Sequence, residues 1–151
     1  MTKSIFTTSG SEYLVDDDDY EYLSKFTWFE NNHGYAYRKE KVIFMHREIM
    51  KPPGSLVIDH KNRNPKDNKK ENLRMATRAQ NGANKLLASD NKSGYKGVHY
   101  DKFTKKWRTQ IRLPDSNGKR ISLGRYDTAE EAYDVYKKKA KEVWGEFYPE
   151  E

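Results

Sequence analysis

The stretch between residues 57 and 85 constrains the fold most, because short apolar runs alternate there with turn-forming residues. Residues 57–60 form a run rich in β-branched side chains, followed by a polar loop of asparagine, lysine and proline. Residues 73–76 then alternate apolar and polar side chains, as a strand does. Thr77 and Gln80 have the spacing of a capping pair at a helix start. The stretch predicts a strand, a polar loop, a second strand and a helix.

Three side chains in this stretch suit the cleavage of a phosphodiester. A hard cation such as magnesium prefers oxygen ligands and keeps several waters, so the Asp59 carboxylate and the Asn81 amide are candidate ligands. His60 is the candidate general base for an attacking water. The cation would stabilise charge on the leaving oxygen, opposite the base. We therefore expect a divalent metal, magnesium or alternatively manganese.

Several short segments together resemble a known family: Met45–Glu48, Ile58–Asn62, Asp67–Asn68, Glu71–Arg74, Thr77–Arg78 and Gln80–Asn84. They resemble the HNH nucleases with a ββα-metal motif, and more closely the phage and intron-encoded branch. The resemblance implies that Asp59 and Asn81 bind the metal, that His60 is the general base and that Asn72 orients the loop. Asn81 stands where the family name has its final histidine, which leaves one anionic and one neutral metal ligand.

Composition limits the class of protein. Of the 151 residues, 34% are hydrophobic, none is cysteine, and mean hydropathy is −1.15. Disulfides and a cysteine-bound structural zinc are excluded. No apolar run has the length of a membrane span or of a secretory signal. We expect an intracellular protein, in the host cytoplasm if phage-encoded, with no membrane partner and no small-molecule cofactor.

The charge of the chain fits a polyanionic partner. The net charge is +6 and the sequence pI is about 9.3. Residues 46–92 hold eleven Lys and Arg against five Asp and Glu, whereas residues 1–45 hold five against eight. The competing interpretation is that basic residues only keep the surface soluble.

Residues 1–45 are predicted to form a supporting subdomain. A strand is expected at residues 12–15, a hairpin around residues 28–38 and a strand at residues 42–45. The four aspartates at residues 16–19 have two interpretations, a metal site or the capped and charged start of a helix. We prefer the helix, because apolar residues recur behind them at helical spacing.

Residues 46–88 form the predicted nuclease segment, and residues 89–93 a polar linker. A short helix at its start is expected to end at residues 51–54, where two prolines and a glycine follow a lysine. His46 is interpreted either as a group near the phosphate and metal or as a structural, hydrogen-bonded histidine. Candidate phosphate contacts, each with a solvated surface residue as the alternative, are Arg47, Arg63, Arg74, Arg78 and Lys85.

Residues 94–148 predict a second module of three strands and one helix. Strands are expected at 95–100, 107–113 and 120–123, with a turn at 114–118 between the last two. Thr128 and Glu131 form a predicted capping box for a helix with one apolar face. One face of the antiparallel sheet then packs on the helix, and the other carries a row of arginines that includes Arg108.

Five short sequence segments of this module together resemble a known family: Tyr95–Val98, Lys106–Trp107, Gln110–Arg112, Ile121–Tyr126 and Asp127–Ala132. They resemble the Apetala/ethylene-response-factor DNA-binding domain of plants. The resemblance implies that the sheet lies in the DNA major groove. Ser122 stands where a tryptophan is usual, and two arginines of the first strand are replaced, so the DNA sequence that is read does not carry over. The DNA-contacting positions implied are Lys96, His99, Gln110, Arg112, Arg120 and Ser122.

The sequence therefore predicts an α+β protein with N-terminal strands, an HNH ββα unit and a three-stranded antiparallel sheet packed on one helix. The expected function is site-specific cleavage of double-stranded DNA by a homing-type endonuclease that acts as a monomer. The alternative is a non-cleaving, sequence-specific DNA-binding regulator. A sheet that binds protein and keeps its arginines solvated is the alternative for the second module.

Overall fold

The computed structural model describes residues 1–114 and 118–149 and has the α+β fold that the sequence predicts. The chain forms two compact units, Met1–Asn81 and Gly82–Glu151. Residues 1–45 thus share one unit with the first part of the nuclease segment. The finer division into subdomain, nuclease segment and linker stays a prediction. No helix within the described ranges is long and apolar enough to cross a bilayer.

The first unit begins with an antiparallel hairpin of β1 (Thr2–Phe6) and β2 (Glu12–Asp16), followed by helix α1 (Asp17–Leu23). Strand β1 was not predicted. Asp16 does not cap the helix as expected, because its Oδ2 accepts a bond from the Lys70 amide at 2.7 Å instead. The next three aspartates do occupy the first turn, where negative charge favours the helix dipole.

A second small sheet contains β3 (Phe29–Glu30), β4 (Ala36–Arg38) and β5 (Ile43–Phe44), all antiparallel. Helix α2 (Met45–Met50) follows and ends at Lys51, which has a left-handed φ of 45°. The predicted hairpin and short helix are confirmed. The hydrophobic core lies between this sheet, the first hairpin and the helices, and consists of Ile5, Tyr13, Val15, Leu23, Trp28, Ala36 and Met45.

The predicted strand, loop, strand and helix of the nuclease segment are also present. Strand β6 (Val57–His60) pairs antiparallel with β7 (Leu73–Ala76), and helix α3 (Arg78–Ala83) follows. The capping pair forms as expected: the Thr77 amide donates to Gln80 Oε1 at 2.8 Å, and the Gln80 amide donates to Thr77 Oγ1 at 3.2 Å.

The second unit contains the antiparallel strands β8 (Val98–Asp101), β9 (Lys106–Arg112) and β10 (Arg120–Tyr126), with β9 in the centre. Helix α4 (Ala129–Trp144) begins at the predicted capping box and packs on the sheet, and a 3-10 turn follows at Gly145–Phe147. Residues 115–117 of the predicted turn lie outside the described residues. The core that helix and sheet share includes Val98, Ile111, Ala132, Tyr136 and Ala140.

Gly97 shows how closely this core is packed. Its φ is +74°, and an added Cβ would lie 2.3 Å from Tyr136 Cε2 and 2.9 Å from the Gln110 carbonyl oxygen. Gly94 has nearly the same φ, +75°, but nothing lies within 4 Å of the position of its Cβ. Comparing a substitution at Gly97 with the same substitution at Gly94 therefore distinguishes steric overlap from backbone strain.

We predict that Gly97→Ala lowers the free energy of unfolding of the second unit by roughly 2 to 4 kcal/mol, because strain and overpacking add. The matched variant Gly94→Ala should cost about 1 kcal/mol from backbone strain alone. Urea denaturation followed by the NMR signals of α4 measures both values. Equal losses for the two variants would show that Tyr136 does not resist the added methyl group.

Candidate functional site

Strand pairing places Asp59 directly opposite Arg74 on β6 and β7. The Arg74 Nε and Nη2 atoms both lie 2.7 Å from Asp59 Oδ2. The Asp59 residue is only 4% exposed, so this cross-strand ion pair supplies the positive charge that a buried carboxylate requires. Arg74 was predicted as a phosphate contact, and the structure directs it to the carboxylate instead.

His60 follows Asp59 on the strand and is 5% exposed. Its Nε2 atom lies 3.1 Å from Oδ1 of Asn68. Burial lowers the pKa of the His60 imidazole, and the bond to Asn68 and the charges of Asp59 and Asp67 partly oppose that shift. The imidazole is therefore neutral near pH 7, which is the state that accepts a proton.

His46 lies against His60, with ring centroids 5.3 Å apart. It also stacks on Phe44 at 5.7 Å and contacts the Tyr35 ring at 5.3 Å. Burial, followed by the electrostatic influence of the neighbouring His60 and of the Arg47 guanidinium, lowers the pKa of His46 to about 3. His46 is thus a neutral member of an aromatic cluster that also contacts the candidate base, and of the two interpretations the structural one fits this placement.

The Asn72 side chain joins the two ends of the connection between β6 and β7. Its Oδ1 accepts the Asn62 amide at 3.0 Å, and its Nδ2 donates to the Asp67 carbonyl at 2.7 Å. The residue is 7% exposed. These bonds are the geometry expected of an asparagine that orients a loop.

The same connection is also held to the N-terminal hairpin. The Leu14 amide donates to the Lys66 carbonyl at 2.8 Å, and the Asn68 amide donates to the Leu14 carbonyl at 2.8 Å. A short parallel bridge forms between Leu14 and Asp67. Strand β2 therefore supports the loop that follows the candidate catalytic pair.

Asn81 lies on α3, where its amide donates to the Thr77 carbonyl at 3.0 Å and its side chain is half-buried. Within the described residues, no group of three or more His, Cys, Asp or Glu is arranged to hold a metal. The candidate donors are thus one carboxylate, Asp59, and one amide oxygen. Carboxylate and amide oxygens are ligand types that a hard cation such as magnesium accepts while it keeps most of its shell for water and phosphate.

The remaining basic candidates of this region differ in exposure. Arg63 and Arg78 are exposed in the first unit, and Lys85 is exposed in the second. Arg47 is half-buried and its Nη1 lies 3.5 Å from the Leu56 carbonyl. Arg63 has a left-handed φ of 63° in the loop after His60. Arg63 and Arg78 are therefore the candidates that remain accessible to a phosphate in the first unit.

The outer face of the second unit carries the predicted row of cations. Arg112 lies opposite Arg120, and Arg108 lies opposite His99. Like charges that face each other on adjacent strands destabilise a sheet unless an anion lies between them. Within the described ranges, Arg108, Arg112 and Arg120 form no ion pair. Gln110 and Ser122 pair on this same face.

Two further positions of the row behave differently. Partial burial and then the charges of Arg108 and Arg120 lower the pKa of His99. Lys96 was predicted to contact DNA. Its Nζ donates to the carbonyls of Ala83 at 2.7 Å and Lys85 at 3.0 Å, and the DNA contact stays a prediction. Lys96 therefore serves as a cap for these carbonyls.

Comparison with known proteins agrees with both parts of the chain. Residues 51–83 match the family described as HNH endonuclease, and residues 93–146 match the AP2 domain. An uncharacterized HNH endonuclease of Acanthamoeba polyphaga mimivirus is 30% identical over 146 residues, which cover 91% of this chain and 73% of that protein. The chain belongs to the HNH endonuclease family. No solved structure matches it.

Two residues of the HNH site were missed by sequence reasoning. Tyr35 packs on His60 with ring centroids 5.8 Å apart, and Asn68 makes the hydrogen bond to its imidazole. Asn68 was visible as part of the Asp67–Asn68 match, but without a role. Tyr35 gave no signal, because it lies on a separate hairpin and its position depends on tertiary packing.

We predict that acid destabilises the first unit through His46. Its pKa is about 3 in the folded state and near 6.5 when unfolded, so the unfolded chain binds more protons between these values. The free energy of unfolding should fall by about 1 kcal/mol between pH 6.5 and 5.5 from this group. Urea denaturation at both pH values measures the fall. His46→Phe should reduce it, whereas the exposed-residue control His33→Gln should not; an unchanged fall in His46→Phe contradicts the assignment.

Proposed function

We propose that this protein is a site-specific, metal-dependent DNA endonuclease of the homing type, in which the HNH unit hydrolyses the strand and the AP2 sheet selects the site. The observation that supports it most is that Asp59 and His60 are consecutive residues of one strand, beside a loop held in place by asparagine side chains. Double-stranded DNA is the proposed partner, and monomeric nicking is the simplest outcome of one ββα unit.

The chemistry would begin at His60. A neutral imidazole accepts the proton of a water that attacks the phosphorus, and the lowered pKa of His60 keeps it neutral at physiological pH. Asn72 would fix the loop behind the base, through its bonds to Asn62 and Asp67. The products would be a 5′-phosphate and a 3′-hydroxyl.

Asp59 and Asn81 would hold the divalent cation, with magnesium as the expected ion. When bound, such a cation stabilises the negative charge that develops on the leaving oxygen. Arg74 would keep the Asp59 carboxylate in a fixed orientation through its contacts with Oδ2. Arg63 and Arg78 would bind phosphates that flank the cleaved bond.

The AP2 sheet would read bases through exposed side chains of its outer face. Arginine and glutamine form paired hydrogen bonds with base edges in the major groove. Opposed Arg112 and Arg120 favour this function over a solvated surface, because a DNA phosphate or guanine would relieve their repulsion. His99, Arg108, Gln110 and Ser122 complete the proposed contact surface.

A non-cleaving DNA-binding regulator is the second candidate. It is favoured by the ion pair of Asp59 with Arg74, and by exposures of 4% for Asp59 and 5% for His60. If substrate does not open this site, only the binding function of the chain is left.

We predict that the wild-type protein nicks plasmid DNA with magnesium or manganese. Asp59→Ala and His60→Ala should each slow cleavage by roughly 100-fold or more, because metal binding or proton transfer is lost. His33→Ala is the matched control, since His33 is an exposed histidine outside the site. Conversion of supercoiled to relaxed plasmid measures the rates. Equal cleavage by all variants would refute the assigned site, and no cleavage by wild type on a library of DNA sequences would favour the regulator.

We predict that Arg112→Ala and Arg120→Ala each weaken specific DNA binding by about 1 to 3 kcal/mol, the usual value of a paired contact to a base. The control is Lys138→Ala, on an exposed position of the helix that packs against the opposite sheet face. Fluorescence anisotropy at fixed salt, with a site selected from a randomised library, measures the affinities. Unchanged affinity in both arginine variants would show that the sheet does not recognise the DNA sequence.

A further inference from the structure

Asn68 is a buried polar residue to which the proposed chemistry assigns no role. It is 1% exposed, and its side chain is hydrogen-bonded at both ends. Its Nδ2 donates to the Pro65 carbonyl at 3.2 Å, and its Oδ1 lies 3.1 Å from His60 Nε2. The main-chain amide of Asn68 is held by the Leu14 carbonyl. The side chain therefore stands in a fixed position against the candidate base.

The bond to Pro65 determines which end of the amide faces His60. A carbonyl oxygen only accepts hydrogen bonds, so the Asn68 group that contacts it must be the NH2 end. The end that faces His60 is then the oxygen, which also only accepts. A hydrogen bond between Asn68 Oδ1 and His60 Nε2 therefore requires a proton on Nε2.

A neutral imidazole carries one N–H proton, so a proton on Nε2 leaves the lone pair on Nδ1. We propose that Asn68 is a positioning residue that holds His60 in the Nε2–H tautomer and thereby makes Nδ1 the nitrogen that accepts a proton. The catalytic part of this inference rests on the proposed nuclease function. The tautomer itself does not, because it follows from contacts within the folded chain.

The surroundings of His60 oppose the alternative in which the ring turns over. Its ring packs against Tyr35 at 5.8 Å and against His46 at 5.3 Å. A flipped ring would place a carbon atom against Asn68 Oδ1 and leave that buried oxygen without its donor, which is costly. The aromatic contacts restrict the ring plane, and Asn68 selects between the two orientations within it.

The tautomer can be measured without metal or DNA. We would label the full chain with 15N-histidine and record long-range 1H–15N correlations near pH 7.5. The chain has only four histidines, and loss of one set of signals in His60→Gln assigns His60. We expect protonated Nε2 and unprotonated Nδ1. A proton on Nδ1 of His60 in the wild type would overturn the proposal.

Two variants separate positioning from general support of the fold. Asn68→Ala removes the acceptor, so we expect mixed tautomers of His60 and a fall in kcat of about tenfold to a hundredfold with KM little changed. Asn68→Asp keeps an acceptor of the same shape towards His60 but loses the group that donates to the Pro65 carbonyl. It should keep the Nε2–H tautomer and move the rise of the pH–rate profile to higher pH, because a carboxylate favours the charged imidazole.

Asn64→Ala is the matched control in the same loop, since the Asn64 side chain accepts the Lys66 amide and does not contact His60. It should leave the His60 signals unchanged. A pure Nε2–H tautomer in a folded Asn68→Ala protein would refute the role of Asn68. Should Asn68→Ala fail to fold, the wild-type and Asn68→Asp spectra still decide the tautomer. Absence of cleavage in every protein, with the expected tautomer, would reject the nuclease function alone.

Discussion

The site depends on asparagine side chains that take the place of a regular hydrogen-bond ladder. The connection between β6 and β7 has no helix or strand, so its backbone groups need other partners. Asn72 joins its two ends, Asn62 accepts the Asn64 amide and Asn64 accepts the Lys66 amide. Asparagine suits this purpose because one side chain offers both a donor and an acceptor. Within this loop, Asn68 is the side chain that contacts the His60 imidazole.

Charge is used in opposite ways in the two units. In the first unit, Asp59 faces Arg74 on the adjacent strand, and the unlike charges stabilise a buried carboxylate. In the second unit, Arg112 faces Arg120, and the repulsion between the like charges lowers the stability of the sheet. The first arrangement stabilises the folded protein without any ligand. The second favours a surface whose repulsion an anion relieves on binding.

The local elements could be predicted from the sequence because their signals are local. Both capping boxes, the β6–β7 pair and the apolar face of α4 follow from spacings of two, three or four residues. Strand β1 could not be predicted from the sequence, because only Ile5 of its residues is buried and its register is set by β2. The final positions of long side chains also depend on tertiary structure. Family resemblance suggested a DNA contact for Lys96, but it gave no indication of the hydrogen bonds that its ammonium forms with the carbonyls of Ala83 and Lys85.

In the second unit, the residues that stabilise the fold are different from the residues that would contact DNA. Ala132, Tyr136 and Ala140 pack beneath the sheet, and Gly97 must stay small to admit the Tyr136 ring. Side chains of the outer face, such as His99 and Ser122, are exposed and make no contribution to that core. Replacing them changes hydrogen-bonding groups without creating a cavity or an overlap. Recognition of DNA sequence can therefore change on this face at little cost in stability, while the positions beneath it remain constrained by packing.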